Sequence, residues 1–156
     1  MNPSVHIRHA NLNDMTGIHA LVRELAIYEK APEQHTASIH DYERDFSAGV
    51  FDSYVAVSDQ NQIIGMILYY TAYSTWRGKM LYLEDFVVTE QCRKFGVGQL
   101  LFDKFIQIAK ESNARLIKWQ VLDWNEPAIQ FYKKNQATIE DEWYNGKIFL
   151  QNNVLT

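Results

Sequence analysis

The chain has 156 residues, of which 47% are hydrophobic, and it carries a formal net charge of −4 at pH 7. That length and apolar fraction predict one compact domain, spanning residues 1–156, with a buried core. The negative charge, together with the lack of any lysine or arginine run, argues against a nucleic-acid partner, whose phosphates would have to bind against the overall field.

The compartment can also be predicted from the sequence. Residues 1–8 contain no apolar signal core, and no stretch approaches the roughly 18 apolar residues that a membrane span needs. Cys92 is the only cysteine, so no intrachain disulfide can form. We therefore expect a cytoplasmic protein without a membrane partner.

The first part of the chain predicts a strand followed by two helices. Residues 5–9 form the strand, and Asn13 is a candidate cap for a helix that ends near residues 30–32. A shorter helix is expected over residues 36–46. The apolar residues of the first helix that predict its buried face are Ile18, Leu21, Val22 and Leu25.

The remaining pattern alternates strands and helices and has no repeat or long linker. Asn145-Gly146 is a dipeptide suited to a type I′ hairpin turn between two final strands. The full predicted order is βααβββαβαββ. Before that hairpin, strands are predicted over residues 54–57, 63–70, 80–88 and 116–122, and helices over residues 97–111 and 127–135.

The segment from Arg93 to Gly98 lies between a predicted buried strand and a predicted helix. Glycines remove the Cβ atoms that keep a ligand away from the backbone, and the first-turn amides of a helix lack intrahelical partners. Several donors therefore converge where a phosphate would fit. Two glycines alone could equally make only a tight connection, so the surrounding sequence has to decide.

The glycine spacing fits neither a dinucleotide fingerprint nor a Walker loop. Arg93, Gly96 and Gly98 instead form an Arg-x-x-Gly-x-Gly pattern that resembles the acyl-CoA diphosphate signature of the GNAT acyltransferase superfamily. Three further blocks resemble the spermidine/spermine (diamine) and thialysine N-acetyltransferase branch. These blocks are residues 82–86, 124–127 and 131–133.

The resemblance implies an α/β (α+β) GNAT fold, with a mixed central sheet and helices on both faces. It implies acetyl-CoA as co-substrate, no metal, and a homodimer that exchanges or pairs C-terminal strands. The residues that it places at the cofactor are Phe86, Val87, Val88, Arg93, Lys94, Phe95, Gly96, Val97, Gly98, Gln99, Asn125, Pro127, Ala128 and Tyr132.

Acetyl transfer to an amine requires a base, because an alkyl ammonium with a pKa near about 10.4 is protonated at neutral pH. Alternation predicts that Tyr82, Glu84, Phe86 and Val88 share one face of their strand, which makes Glu84 the candidate base. Asp85 would point the other way unless a bulge turns it, and the family commonly has a bulge in this strand. The competing interpretation is a solvated carboxylate pair at the strand edge.

By resemblance, the amide of Phe86 would hold the thioester carbonyl. Tyr132 matches the acid of the family, which protonates the departing thiolate. Its periodicity alone would make Tyr132 a core aromatic residue, whereas the preceding Asn125 is a good helix cap and Pro127 is tolerated in a first turn.

The expected substrate is a small cationic amine, which carboxylates and aromatic rings bind through ion pairing and cation–π contact. Ser74 stands where the family often has aspartate, which weakens the case for long polyamines and puts a short diamine or a thialysine-like amine on an equal footing, so that all three stay open. The predicted substrate-side residues are Tyr28, Glu29, Trp76, Glu84, Asp85, Lys118, Trp119, Gln120 and Glu142.

Two other functions stay open from the sequence. A protein or peptide N-acetyltransferase of the same fold would have a peptide groove instead of an acidic pocket. A non-catalytic acyl-CoA sensor would bind cofactor while Glu84 and Tyr132 only pack. The five histidines, none in a metal-binding spacing, are interpreted as surface or packing residues.

Overall fold

The computed structural model of the chain describes residues 4–150. These residues fall into two compact units, the first ending at Gln120 and the second beginning at Val121. The single domain expected from chain length stays a prediction. Within the described range, no helix combines the length and the apolar composition that crossing a membrane requires.

The first unit is built on a five-stranded mixed sheet. Its strands are β1 (Val5–His9), β2 (Asp52–Ser58), β3 (Ile63–Ser74), β4 (Gly78–Val88) and β5 (Leu116–Trp119). They lie in the order β1-β2-β3-β4-β5, and all neighbours are antiparallel except β4 and β5, which are parallel. The predicted mixed sheet is therefore confirmed. β3 is four residues longer and β5 three residues shorter than the sequence predicts.

Helices cover both faces of this sheet, as predicted. They are α1 (Met15–Tyr28), α2 (Ile39–Ser47) and α3 (Val97–Glu111). On one face, Ile18 and Leu21 of α1 pack with Met66 and Leu68 of β3 in the main core cluster. On the other face, the ring of Phe105 in α3 lies 5.1 Å from that of Tyr69.

Two helix starts differ from the prediction, because other residues cap them. Asn11, and not Asn13, is the first capping residue, and it caps the 3-10 turn Leu12–Asp14 that leads into α1. Its side chain accepts from the Asn13 amide at 3.0 Å, and Asp14 accepts from the Asn11 amide in return. Ser38 caps α2 through the same kind of reciprocal bonding, so α2 begins at Ile39 and not at residue 36.

The most consequential local feature is a register shift between β3 and β4. Leu68 pairs with Asp85 and Tyr69 pairs with Leu83, so Glu84 is an extra residue without a partner across the pair, which is a β-bulge. Directly paired residues share a sheet face. Asp85 therefore lies on the α1 and α2 face with Leu68, while Leu83 lies on the α3 face with Tyr69.

The bulge overturns the predicted common face of residues 82, 84, 86 and 88. Tyr82 pairs with Tyr70 on the α1 and α2 face, whereas Phe86 and Val88 lie on the α3 face. Simple alternation fails because the extra residue reverses the phase of the strand. The expectation that Asp85 points away from Glu84 held only in the absence of a bulge, and the bulge is present.

The second unit contains one helix, α4 (Glu126–Lys134). The two final strands predicted to meet at Asn145-Gly146 are not formed, since residues 138–150 contain no strand. A two-stranded hairpin without further strands is only marginally stable in water, so the turn dipeptide alone does not specify one. Several large apolar side chains in this segment are instead exposed: Trp143, Tyr144, Ile148, Phe149 and Leu150.

Candidate active site

The predicted anion loop leads from β4 into α3 through a single 3-10 turn at Glu90–Cys92. Gly96 immediately precedes α3 with φ at 82°, a left-handed conformation that favours glycine, and no atom of residues 4–150 lies within 4 Å of the place where its Cβ would stand. No side chain caps this helix end. The loop thus presents the first turn of α3 to a ligand, and the fit to a phosphate is good.

Arg93, the first residue of the signature, has defined contacts in this structure. Its Nε donates to the Val88 carbonyl at 2.9 Å, and its guanidinium lies 5.4 Å from the ring centroid of Tyr28. The loop is therefore tied to the end of β4 and to the last residue of α1. Beyond Arg93, Lys94 and Phe95 are exposed.

A gap in strand pairing begins beside the bulge. Pairing between β4 and β5 stops at Leu83 and Trp119, although β4 continues to Val88. From Glu84 onward, β4 therefore has no pairing with β5, and an extended ligand could lie along this edge.

The residues beside the gap are anchored on the α3 face. Phe86 has its ring 5.9 Å from that of Phe102 in α3, and Val87 is buried on the opposite face. Gly98 also approaches this region: a Cβ there would lie 3.5 Å from the Phe86 ring and 3.8 Å from Val88, which are ordinary contact distances. The fold itself therefore does not require glycine at position 98.

An open cavity of about 450 Å3 lies on the other face of the sheet, below α1 and α2. Glu84 and Asp85 line it from the bulge, and Glu29 lines it from the end of α1. Sequence reasoning placed these three carboxylates on the substrate side, and the structure brings them together. The remaining lining residues include Tyr42, Phe51, His35, Asp41 and Asp45.

Three carboxylates of the cavity, those of Glu29, Glu84 and Asp85, lack a paired cation among the described residues. Burial raises the pKa of Asp85 to about 7, with smaller contributions from the charges of Glu84 and Glu29. Burial also raises the pKa of Glu29. Among residues 4–150, no lysine or arginine forms an ion pair with Glu29, Glu84 or Asp85. A bound cation would stabilise the ionised form of these carboxylates.

Two other carboxylates of the cavity are already compensated. Arg44 donates to Asp41 at 3.0 Å and to Asp45 at 2.9 Å. Asp41 also accepts from Ser38, and these bonds lower its pKa. The negative character available to a ligand therefore concentrates at the bulge and at Glu29.

Glu84 is more exposed than its neighbour. The Tyr70 hydroxyl donates to Glu84 Oε2 at 3.2 Å, and the Tyr70 ring stacks on Tyr82 with centroids 5.3 Å apart. Burial and the Glu84 charge raise the pKa of Tyr70 to about 12, so this phenol keeps its proton. It therefore holds the Glu84 carboxylate at the rim of the cavity.

Several predicted substrate residues do not line this cavity. Tyr28 lies under Arg93, and Trp76 is 89% exposed in the turn between β3 and β4. Lys118 and Trp119 belong to β5, where the Trp119 ring contacts Phe102 of α3. Gln120 ends the first unit, and Glu142 is exposed in the second.

Conversely, Tyr42 and His35 line the cavity and were not predicted. The histidine was interpreted as a surface or packing residue, because no motif distinguishes it. A sequence signal did exist for the position of α2, since Ser38 and Asp41 have the spacing of a capping box. That signal fixes the helix start and thus the face that carries Tyr42.

The second unit contains the remaining predicted cofactor residues. Asn125 caps α4, because its side chain accepts from the Ala128 amide at 3.4 Å, and Pro127 lies in the first turn. This confirms the predicted cap. Tyr132 is 7% exposed, and its ring lies 5.7 Å from that of Phe131. Across residues 4–150, no three His, Cys, Asp or Glu side chains cluster in a way that could hold a metal ion.

Comparison with known proteins places the chain in a family. The acetyltransferase (GNAT) family matches residues 18–137. A thialysine N-epsilon-acetyltransferase from Sus scrofa is 34% identical over 139 residues, covering 83% of this chain and 82% of that protein. Spermidine/spermine N(1)-acetyltransferase-like protein 1 from Homo sapiens is 32% identical, covering 88% of this chain and 21% of that protein.

Solved structures agree on the fold. A crystal structure of an aminoglycoside acetyltransferase from an uncultured soil metagenomic sample superposes with a TM-score of 0.78 at 18% identity, covering 94% of this chain and 97% of the other. That identity supports the fold alone. With the family match and the relatives above, it follows that this chain belongs to the GNAT acetyltransferase family and is an N-acetyltransferase similar to the thialysine and spermidine/spermine enzymes.

Proposed function

We propose that the enzyme transfers the acetyl group of acetyl-CoA to a primary amine of a small cationic substrate. The substrate would be a short diamine, a polyamine or a thialysine-like amine. One observation carries this proposal: Glu29, Glu84 and Asp85 meet in one cavity, where no described lysine or arginine pairs with them. A cationic amine is the ligand that such a cavity favours.

The proposed cofactor site follows the signature loop and the adjoining gap. The diphosphate of acetyl-CoA would bind the amides of residues 94–99, and Gly96 leaves open space for it. The extended arm would lie where β4 and β5 separate, past Leu83. Asn125, Pro127 and Ala128 of the second unit are proposed contacts by resemblance to the family.

We assign the base function to the carboxylate pair formed by Glu84 and Asp85. A base acts best when its pKa is near the working pH, and the pKa of Asp85, at about 7, meets that condition. Asp85 is the member of the pair that would hold the proton, because burial favours its neutral carboxyl group. Glu84, the base expected from sequence, then has a second effect: its charge helps to raise the pKa of Asp85.

The chemical steps balance with these groups. The carboxylate pair takes one proton from the substrate ammonium, and the neutral amine attacks the thioester carbonyl. The amide of Phe86 is proposed to donate to the carbonyl oxygen as negative charge develops there. The new N–C bond forms and the C–S bond breaks. Tyr132 is proposed to give its proton to the departing thiolate, by resemblance to the family. The nitrogen carries two protons after the attack, and the one that it loses as the amide forms restores the Tyr132 phenol. The proton held by the carboxylate pair then passes to solvent.

The direct test is turnover with a panel of amines. Purified protein with acetyl-CoA is expected to release CoA thiol with 1,3-diaminopropane, putrescine, spermidine or thialysine, and mass spectrometry should find the acetylated amine. Release with short peptides alone would favour a peptide N-acetyltransferase. No release with any amine, despite acetyl-CoA binding, would leave the acyl-CoA sensor.

The pH dependence of amine turnover should separate the two carboxylates. In the wild type, kcat/KM for the amine should rise with pH through about 7, because the pair must lose its proton to act. Asp85→Asn should lower kcat/KM at least about 100-fold and remove this rise, the limb of the pH profile near pH 7. Glu84→Gln should move the limb to lower pH, since one charge that raises the pKa of Asp85 is gone. If Glu84→Gln instead removed the limb, Glu84 alone would be the base.

Gly98→Ala should separate cofactor binding from stability. Alanine inside a helix is favoured over glycine by about 0.5–1 kcal/mol, and the added Cβ meets only ordinary contacts, so the free energy of unfolding should not fall. The KM for acetyl-CoA should rise about tenfold, or about 1.4 kcal/mol, as the backbone is screened from the ligand. The KM for the amine is the internal control. An unchanged KM for acetyl-CoA would remove Gly98 from the cofactor site.

Tyr132→Phe tests the proposed acid. Loss of the phenolic proton should lower kcat by about 100-fold, with little effect on the KM for acetyl-CoA or the amine. The ring is retained, so the buried position stays filled. A kcat equal to that of the wild type would assign Tyr132 to packing.

We also propose a homodimer, as the family resemblance implies. The exposed apolar side chains between Trp143 and Leu150 support it, because such a segment is favourable only when covered. Sedimentation equilibrium should give twice the 18.2 kDa mass of one chain, and Phe149→Asp should weaken the association. A wild-type monomer at micromolar concentration would contradict the proposal.

A further inference from the structure

The cavity contains a phenol that the proposed mechanism does not use. Tyr42, on the second turn of α2, lines the same cavity as Glu29, Glu84 and Asp85. Its ring is half-buried and packs against the main core cluster. A polar group that is held beside three carboxylates in an open cavity is well placed to contact whatever those carboxylates bind.

Tyr42 is held in place by two histidines and a phenylalanine. Its hydroxyl lies 3.3 Å from His35 Nε2, and its ring makes edge contacts with His19 at 5.0 Å and with Phe51 at 6.1 Å. His19 donates from Nε2 to the Ala37 carbonyl at 2.8 Å, which fixes its ring. These contacts fix the orientation of the Tyr42 phenol.

The protonation states suit a cation. Burial, with the charges of Asp85 and Glu84, raises the pKa of Tyr42 to about 12, so the phenol stays neutral at working pH. Burial, with His19 and Arg23, lowers the pKa of His35, which keeps that imidazole neutral. The Tyr42 hydroxyl can then donate a hydrogen bond to His35 Nε2 while its oxygen accepts a hydrogen bond from an ammonium. It adds a ligand without adding a negative charge.

We propose that Tyr42 is an amine-binding residue of this enzyme and that His35 is the residue that positions it. This inference rests on the proposed function, because it names a further contact of the same substrate. The Tyr42 oxygen would accept one hydrogen bond from the substrate ammonium, and its ring would supply a cation–π face. The carboxylates would then provide the charge, and Tyr42 would restrict the direction of approach.

The test is a set of matched variants assayed with the best amine of the panel. Tyr42→Phe keeps the ring and should raise the KM for the amine about tenfold, with little change in kcat or in the KM for acetyl-CoA. Tyr54→Phe is the control, since Tyr54 contacts His9 and Lys104 and does not line the cavity. Thermal unfolding of each variant checks that the fold is retained.

A double-mutant cycle tests the positioning role of His35. His35→Leu alone should raise the KM for the amine. In the Tyr42→Phe background it should cause no further rise, because the phenol that His35 orients is absent. His35→Gln, which keeps a hydrogen-bond acceptor, should restore most of the affinity. Additive effects of the two changes, or no rescue by glutamine, would overturn the positioning role.

The outcomes distinguish this inference from the proposed function. If the wild type turns over amines and Tyr42→Phe leaves their KM unchanged, Tyr42 is not an amine ligand, although the function stands. If the wild type turns over none of the amines, the proposed function fails first, and the contact proposed for Tyr42 fails with it.

Discussion

One extra residue in β4 determines what the rest of the structure can do. Glu84 stands at a bulge where Leu68 pairs with Asp85 and Tyr69 pairs with Leu83. Because a bulge reverses the side-chain phase, Asp85 turns toward α1 and α2 while Phe86 turns toward α3. At the same point the pairing with β5 ends. A single irregularity thus delivers two adjacent carboxylates to a cavity at the point where the pairing of β4 with β5 stops.

The ionised carboxylate of Asp85 lowers the free energy of unfolding. The folded-state pKa of Asp85 is about 7, above its ordinary value, so its ionised form is less favourable in the folded chain than in the unfolded chain. This cost begins as pH rises above the ordinary aspartate value and is complete once pH exceeds the folded pKa. A bound ammonium would relieve it. The surrounding phenols of Tyr42 and Tyr70 keep their protons and therefore do not add to the negative charge.

Local sequence signals predicted most of the fold. β1 and α3 have the predicted bounds, because the helical stripe over residues 97–111 is long and regular and its start is marked by Gly96. The bulge at Glu84 could be expected only by resemblance, since alternation cannot show an inserted residue until the partner strand fixes the register. The capping residues Asn11 and Ser38 were visible as reciprocal patterns with acidic residues three positions later. Asn11 could not be chosen over Asn13 from the sequence alone, because asparagine at either position is a competent cap.

The candidate site was predicted in part for the same physical reason. Glu29, Glu84 and Asp85 could be assigned as carboxylates near the motif, but Tyr42 and His35 enter the cavity only through the packing of α2 over the sheet. Trp76 was expected beside the amine; the structure has it exposed in the turn between β3 and β4, and its contact with the amine stays a prediction. The C-terminal hairpin failed as a prediction because a turn dipeptide has no effect where no further strands join it.

The part of β4 beyond Leu83 is proposed to contact two ligands, one on each side. A crystal structure of the protein with CoA and an unreactive amine analogue tests this most directly. We expect the diphosphate at the amides of residues 94–99, the sulfur in the gap beside Phe86, and the amine nitrogen within hydrogen-bond distance of Asp85 or Glu84. A thiol located away from that gap, or an amine bound outside the carboxylate cavity, would contradict the central role of the bulge.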